Sequence, residues 1–229
     1  MGRLDGVFLA WQRRARSYAL LYRFTLATRV LLAAGFIPTG MVKVLGRRFT
    51  ALGPEDPIGA FFDVLYQSGL YWNFIGWAQV IAGVCVLVPA TATLGALLFL
   101  PIMVNIFVIT LSYDFRLTPV VTGLMLLANI YLLCWDYDRF RGILGLGAAD
   151  SSARLPNHRL GRLEWSVYVV GGASAICFLL NERVGFFPGQ LNLWLLPVGL
   201  LSACVAAVFA WTRRHHRVGG SAPHVRGAI

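Results

Sequence analysis

The chain has 229 residues, of which 58% are hydrophobic and 13% are charged, and its formal net charge is +10. A soluble domain carries about twice that charged fraction because it needs a polar surface, so the composition excludes an ordinary soluble protein and predicts an all-α membrane protein. The basic residues lie between apolar runs and at the chain ends, not on one soluble face, which argues against nucleic acid as a partner.

Residues 1–23 precede the first apolar run and are predicted to form a basic segment at the cytoplasmic interface. After them come about six predicted transmembrane helices, each near the roughly 20 residues that a membrane crossing needs. They cover residues 24–45, 70–88, 92–112, 119–135, 165–180 and 191–211. The first follows a long basic segment and itself contains Arg29 and Lys43, so we interpret it as a retained helix and not as a cleavable signal peptide.

Residues 56–67, between the first two spans, have the pattern of a short amphipathic helix on the outer side. Asp56 suits the N-cap and Pro57 suits the first helical position. Apolar residues then recur at helical spacing, at Ile58, Phe61, Phe62, Leu65 and Tyr66. One interpretation is a surface anchor, and the other is a lid over a cavity.

The distribution of arginine predicts the orientation. With six spans, the face that holds both chain ends receives 14 arginines and the other face receives 4. The positive-inside rule therefore places both termini in the cytoplasm. The basic loop 146–164 and the basic tail 212–229 lie on the same face, where anionic lipids are the predicted partners.

The sequence has no motif of soluble catalysis, such as G-x-S-x-G, a P-loop, H-E-x-x-H or a Rossmann fingerprint. The four histidines lie in loops or in the tail, and the four cysteines lie within apolar runs without a C-x-x-C pair. No metal site is therefore predicted, and catalytic residues stay unassigned.

Five polar residues inside the spans are the candidate ligand-binding residues, because such groups usually face a cavity or a partner. They are Arg29, Lys43, Gln79, Asn105 and Asn129. The three amides fall roughly 10–15 Å from the outer boundary. They either line one pocket or form interhelical hydrogen bonds. Arg29 and Lys43 either join that pocket or extend to the membrane surface.

Acidic residues near the membrane surfaces are interpreted as ion pairs. On the outer side, Asp114 is expected to pair with Arg116 or Lys43. On the inner side, Asp136 and Asp138 lie beside Arg139 and Arg141, which suggests a charge network at headgroup level.

The apolar stretches of residues 24–145 follow a known pattern. The stretch TRVLLAAGFIPTGMVKVLG carries Arg29 at its start and Gly40 and Lys43 near its end. The stretches FIGWAQVIAGVCVLVPATATLGALLFLPIMVNIFVIT and LMLLANIYLLCWDYDRF follow it. Together they resemble the four helices of the DoxX-like family of small bacterial membrane proteins. The resemblance implies a four-helix bundle in the bacterial inner membrane, with residues 165–211 as a two-helix extension.

Some members of that family are named for quinone-linked sulfur oxidation or oxidant resistance, so the resemblance implies a quinone as the candidate cofactor. Three functions remain open. The protein binds a small amphiphile such as a quinone or supports a membrane redox complex, or it is a purely structural subunit without a ligand, or it transports a small solute. Besides the lipid bilayer, the expected partner is a second copy or another membrane protein.

Overall fold

A computed structural model describes residues 2–141, 160–185, 195 and 197–208. Within those residues every regular element is a helix, and no strand occurs. The helices are α1 (Gly2–Arg16), α2 (Ala19–Val44), α3 (Pro57–Gln67), α4 (Leu70–Leu87), α5 (Ala92–Ser112), α6 (Thr118–Trp135), α7 (Tyr137–Phe140), α8 (Arg162–Val184) and α9 (Pro197–Val208).

Five helices, α2, α4, α5, α6 and α8, are long and apolar enough to cross a membrane, which confirms an all-helical integral membrane protein. The shortest of them has 18 residues and the longest has 26. The sixth predicted span, 191–211, is described only at residue 195 and over the shorter helix α9. Most of the loop 146–164 and the whole tail 212–229 lie outside the described residues. The structure therefore supports five spans where the sequence predicts about six.

Helices α2, α4, α5 and α6 pack as a four-helix unit. α2 contacts α4 and α6, α5 contacts the same two helices, and α8 packs against α2. Phe36 of α2 and Phe99 of α5 stack across the middle, with ring centroids 3.5 Å apart. The buried core is contributed by all four helices: Leu32, Phe36, Ala82, Val86, Ala96, Phe99, Met103, Leu132 and Leu133. Many large apolar side chains on the outside are exposed, as expected of helices that face lipid.

Two glycines let α2 and α4 approach each other closely. A Cβ on Gly76 would lie 2.7 Å from the backbone nitrogen of Val44 and 2.8 Å from the carbonyl oxygen of Gly40. Backbone atoms cannot move aside as a flexible side chain can, so the contact requires glycine. Small residues serve the same purpose at many transmembrane helix interfaces.

Helix α3 lies across one end of the four-helix unit, which we call the α3 end. Its Phe62 contacts Trp72 at the start of α4 and Phe115 in the α5–α6 connection, with ring centroids 6.4 and 6.0 Å apart. Its Phe61 contacts Tyr113 at 5.0 Å. The apolar side of α3 therefore packs on the bundle, and the helix covers this end.

The start of α3 is fixed by an N-cap. The Oδ1 of Asp56 accepts hydrogen bonds from the backbone nitrogens of Ile58 at 2.8 Å and Gly59 at 3.3 Å. Pro57 occupies the first turn, where its missing N–H costs nothing. At the opposite end of the unit, the α1 end, helix α1 contacts α2, α6 and α7.

Candidate functional site

Arg29 is held at the α1 end by an ion pair. Its Nη2 donates to Oδ2 of Asp136 at 2.9 Å. Asp136 ends α6, is 3% exposed, and also accepts from Arg16 at 3.2 Å and from Thr93 at 3.3 Å. Arg29 therefore does not join a pocket with the amides, as one of its two predicted roles required, and it neutralises a buried carboxylate instead.

The acidic residues at the α1 end take their partners from distant parts of the chain. Asp138 accepts from Arg16 of α1 at 2.8 Å. The two arginines that follow Asp138 in the sequence have other partners. Arg139 donates to the carbonyl oxygen of Pro89, and Arg141 donates to Asp5 of α1 at 2.5 Å. The charge network predicted here therefore exists, but it fastens α1 to the ends of α6 and α7.

Lys43 lies near the α3 end and is only 5% exposed, so it does not extend to the surface. Its Nζ donates to the carbonyl oxygen of Thr39 at 3.0 Å. The same nitrogen lies 4.4 Å from the ring centroid of Phe49 and 5.2 Å from that of Trp72. Within the described part of the chain no carboxylate pairs with it, and Asp114, one predicted partner, makes no such contact. Lys43 is thus buried, and its amine lies beside the rings of Phe49 and Trp72, which we call the aromatic box.

Gln79 and Asn129, which we call the amide pair, are buried without hydrogen bonds. Gln79 is 3% exposed and Asn129 is 0% exposed. The Oε1 of Gln79 and both polar atoms of the Asn129 side chain have no hydrogen-bond partner among the described residues. The predicted interhelical hydrogen bonds of these amides are therefore absent there. Buried polar groups are nearly always paired, so these three atoms are available to hydrogen-bond a bound molecule.

The packing of α4 against α5 gives the level of Gln79. A Cβ on Gly95 of α5 would lie 2.5 Å from the backbone nitrogen of Val86 of α4. Gln79 lies seven residues before Val86, which is about two helical turns. Because the two helices run in opposite directions, Gln79 is level with the residue seven positions after Gly95, which is Ile102.

The packing of α5 against α6 gives the level of Asn129. The hydroxyl oxygens of Thr110 and Thr122 are hydrogen-bonded at 2.9 Å. Asn129 lies seven residues after Thr122, so it is level with the residue seven positions before Thr110, the fully buried Met103. The two amides therefore lie at one depth on α4 and α6, and Gln79 packs toward Gly40 of α2.

Asn105 does not belong to this arrangement. It lies within one turn of Met103 on α5, but its side chain is on the exposed surface of the helix. Asn105 is therefore removed from the predicted three-amide pocket. The hydropathy of α5 could not reveal this, because the helix is apolar around most of its circumference.

No family model and no solved structure matches the chain. The uncharacterized protein YwoB of Bacillus subtilis (strain 168) is 36% identical to it over 129 residues, which cover 54% of this chain and 83% of that relative. The chain belongs to the family of this protein. The relative's name states no activity, so for this family the site itself has to indicate the chemistry.

In this member of the family, the amide pair suits a neutral polar group. Each side-chain amide offers two N–H donors and one carbonyl acceptor, which match a carbonyl or hydroxyl on a ligand. The described residues contain no cluster of His, Cys, Asp or Glu that could hold a metal ion.

Sequence reasoning found Lys43 but missed its aromatic box, because Phe49 and Trp72 come from separate segments. The run of basic and aromatic residues after α2 was the available signal.

Proposed function

We propose that this protein is a DoxX-like protein of the bacterial inner membrane that binds a small amphiphile, such as a quinone, within its four-helix unit. The observation that carries the proposal is the amide pair, in which three buried polar atoms have no hydrogen-bond partner among the described residues. Leaving each such atom unsatisfied costs about 1–3 kcal/mol. A bound molecule with a polar head and an apolar body recovers that free energy.

A quinone matches this chemistry in both of its oxidation states. The oxidised ring has carbonyl oxygens that accept hydrogen bonds from the N–H groups of Gln79 and Asn129. The reduced ring has hydroxyls that donate to their carbonyl oxygens. An amide supplies both kinds of group without changing its own charge, so one pair of side chains serves both states.

The resemblance of residues 24–145 to the DoxX-like family supports a quinone and the inner membrane. The arginine distribution supports cytoplasmic termini, which would direct the α3 end outward. The alternatives are weaker on physical grounds. In a purely structural subunit, two buried amides without hydrogen-bond partners only lower stability. A transporter for a polar solute needs a polar path through the bundle. Among the described residues, aromatic side chains cover the α3 end and ion pairs occupy the α1 end.

The test is to identify the molecules that co-purify with the protein from bacterial membranes. The protein is extracted in mild detergent, and bound quinones and lipids are quantified by mass spectrometry per mole of protein. We expect Asn129→Leu and Gln79→Leu to lose most of the bound amphiphile. Asn105→Leu is the matched control, because it removes the same type of side chain from the exposed side of α5, and it should retain the ligand.

Two results would contradict the proposal. One is equal co-purification in the wild type and in all three variants. The other is a higher melting temperature of Asn129→Leu with no bound amphiphile in the wild type, since an unsatisfied buried amide without a ligand is only a cost. The second result would favour the structural subunit.

A further inference from the structure

A separate cluster of positive charge lies at the α3 end, about one helical turn from Gln79 toward α3. Its centre is Phe49, whose ring lies 4.4 Å from Nζ of Lys43 and 5.7 Å from Cζ of Arg183 on α8. The two cations are therefore at most about 10 Å apart, close enough to repel each other. Arg47 lies next to them and donates to the carbonyl oxygen of Val184.

Among the described residues the cluster has no paired carboxylate, although the exposed Glu182 is next to Arg183 in the sequence. No ion pair joins a carboxylate to Lys43, Arg47 or Arg183 within residues 2–141 and 160–185. Two nearby acids have other roles, since Asp63 pairs with Arg48 at 2.6 Å and Asp56 caps α3. Lys43 and Arg183, from two distant parts of the chain, thus meet at one aromatic ring.

Lys43 also keeps unused hydrogen-bond donors. An ammonium has three N–H groups, and the described structure gives one of them an acceptor, the carbonyl oxygen of Thr39. The rings of Phe49 and Trp72 offset part of the lost hydration by cation–π attraction. They do not replace an anion, because a buried charge without a counter-ion is strongly disfavoured.

We propose that Lys43 and Arg183 form a binding site for a single phosphate group that enters from the side, between α2 and α8, at the level of the α3 end. Guanidinium and ammonium groups are the usual phosphate ligands, the first through paired N–H groups and the second as a point charge. The phosphate is either inorganic phosphate or the head of an anionic phospholipid, which present the same oxygens. Bound between α2 and α8, it removes the repulsion between the two cations and fastens α8 to the four-helix unit. This inference does not depend on the amide pair.

The test measures the melting temperature of the full chain in two arms. In detergent, sodium phosphate is titrated against sodium chloride at equal ionic strength. In nanodiscs without phosphate buffer, phosphatidylglycerol is compared with phosphatidylcholine. We expect a saturable rise in at least one arm, and which arm shows it identifies the source of the phosphate.

Three variants connect the effect to the site. Arg183→Gln and Lys43→Met should weaken the apparent affinity about tenfold or more, as expected when a hydrogen bond between charged groups is lost. Arg116→Asn removes an exposed arginine at the same end and should respond as the wild type does. Arg183 is exposed, so its variant folds even if Lys43→Met does not. Bound quinone in Arg183→Gln should be unchanged, which separates this site from the amide pair.

The proposal is overturned if phosphate does no more than chloride and phosphatidylglycerol no more than phosphatidylcholine. It is also overturned if Arg183→Gln keeps the wild-type response, or if Arg116→Asn loses it, because the effect would then be one of general surface charge.

Discussion

Arg29 of α2 donates to Asp136 at the end of α6, at 2.9 Å, across 107 positions of the sequence. Both side chains are largely buried, with side-chain exposures of 12% and 4%. The pair connects the first helix of the four-helix unit to the last. It also explains how a membrane helix tolerates an arginine well inside its length.

Replacing Asp136 should destabilise the fold strongly. Asp136→Ala leaves Arg29 buried without its carboxylate and removes one of the acceptors of Arg16, so the free energy of unfolding should fall by about 3–5 kcal/mol. Unfolding by SDS titration in mixed micelles measures it. Asp63→Ala is the control, because its partner Arg48 is exposed, and it should cost no more than about 1 kcal/mol. Equal losses in the two variants would contradict a special role for Asp136.

The attachment of α8 should depend on a second buried ion pair. Nε of Arg23 on α2 donates to Oε1 of Glu164 on α8, and both residues are buried. Glu164→Ala should speed hydrogen exchange throughout α8, because it leaves the arginine without this carboxylate. Replacing both Arg23 and Glu164 by leucine should restore much of the protection, since an apolar pair can replace a buried ion pair. A double variant no better protected than Glu164→Ala would refute this explanation.

The close contact of α2 with α4 should not tolerate a methyl group. Gly76→Ala places a Cβ against the backbone of Val44 and Gly40, so the helices must separate, and we expect a loss of about 1–3 kcal/mol. Gly6→Ala on α1 is the matched control, because nothing lies within 4 Å of its added Cβ. Thermal melting of both variants checks the difference, and a melting temperature of Gly76→Ala at or above that of Gly6→Ala would count against it.

The phenol of Tyr137, which lies outside the spans, should ionise at a higher pH than an ordinary tyrosine. Its hydrogen bond to Asp5 raises the pKa of Tyr137, as do burial and the charge of that carboxylate. The stability that this contact contributes is fully present below the ordinary tyrosine pKa, and it is lost as the pH rises through the raised pKa. Asp5→Ala should shift one tyrosine titration to lower pH in the tyrosinate absorbance. Superimposable titration curves would disprove the coupling.

Both termini should face the cytoplasm, as the arginine distribution predicts. Green fluorescent protein fused to the carboxyl terminus should be fluorescent, and alkaline phosphatase fused within the segment between α2 and α3 should be active. The structure describes five helices of spanning length, so a carboxyl terminus in the cytoplasm requires that the chain crosses once more after α8. The conclusion would be reversed if green fluorescent protein at the carboxyl terminus is not fluorescent and alkaline phosphatase fused at the carboxyl terminus is active.

The sequence predicts most of the helices because the lipid environment imposes a simple rule. A long apolar run has to satisfy its own backbone hydrogen bonds, so hydropathy locates α4 and α5 to within a residue or two. The start of α3 follows from local chemistry, since Asp56 and Pro57 suit the N-cap and the first turn. Helix α2 begins at Ala19, five residues before the predicted boundary, because Tyr22 and Arg23 continue the helix into the interface.

Partners that are distant in the chain could not be predicted in the same way. Nothing local in the sequence assigns Asp136 to Arg16 and Arg29, since either of the neighbouring arginines was an equally reasonable partner. The same holds for Asn105 and Asn129, which have similar depth but opposite exposure. Depth follows from counting residues along a helix, whereas the direction that a side chain faces depends on the neighbouring helices.

The covering of the two ends restricts how any molecule reaches the middle of the bundle. Helix α3 blocks approach along the bundle axis from one side, and the carboxylate–guanidinium network does so from the other. A ligand of Asn129 therefore has to enter laterally, between the helices, from the hydrocarbon core of the bilayer. Such a lateral route admits lipophilic compounds and excludes hydrophilic ones before they contact the amide. Asn129→Cys, in a chain whose four native free cysteines are replaced by alanine, should then react with a maleimide dissolved in the bilayer and resist a charged maleimide supplied in water.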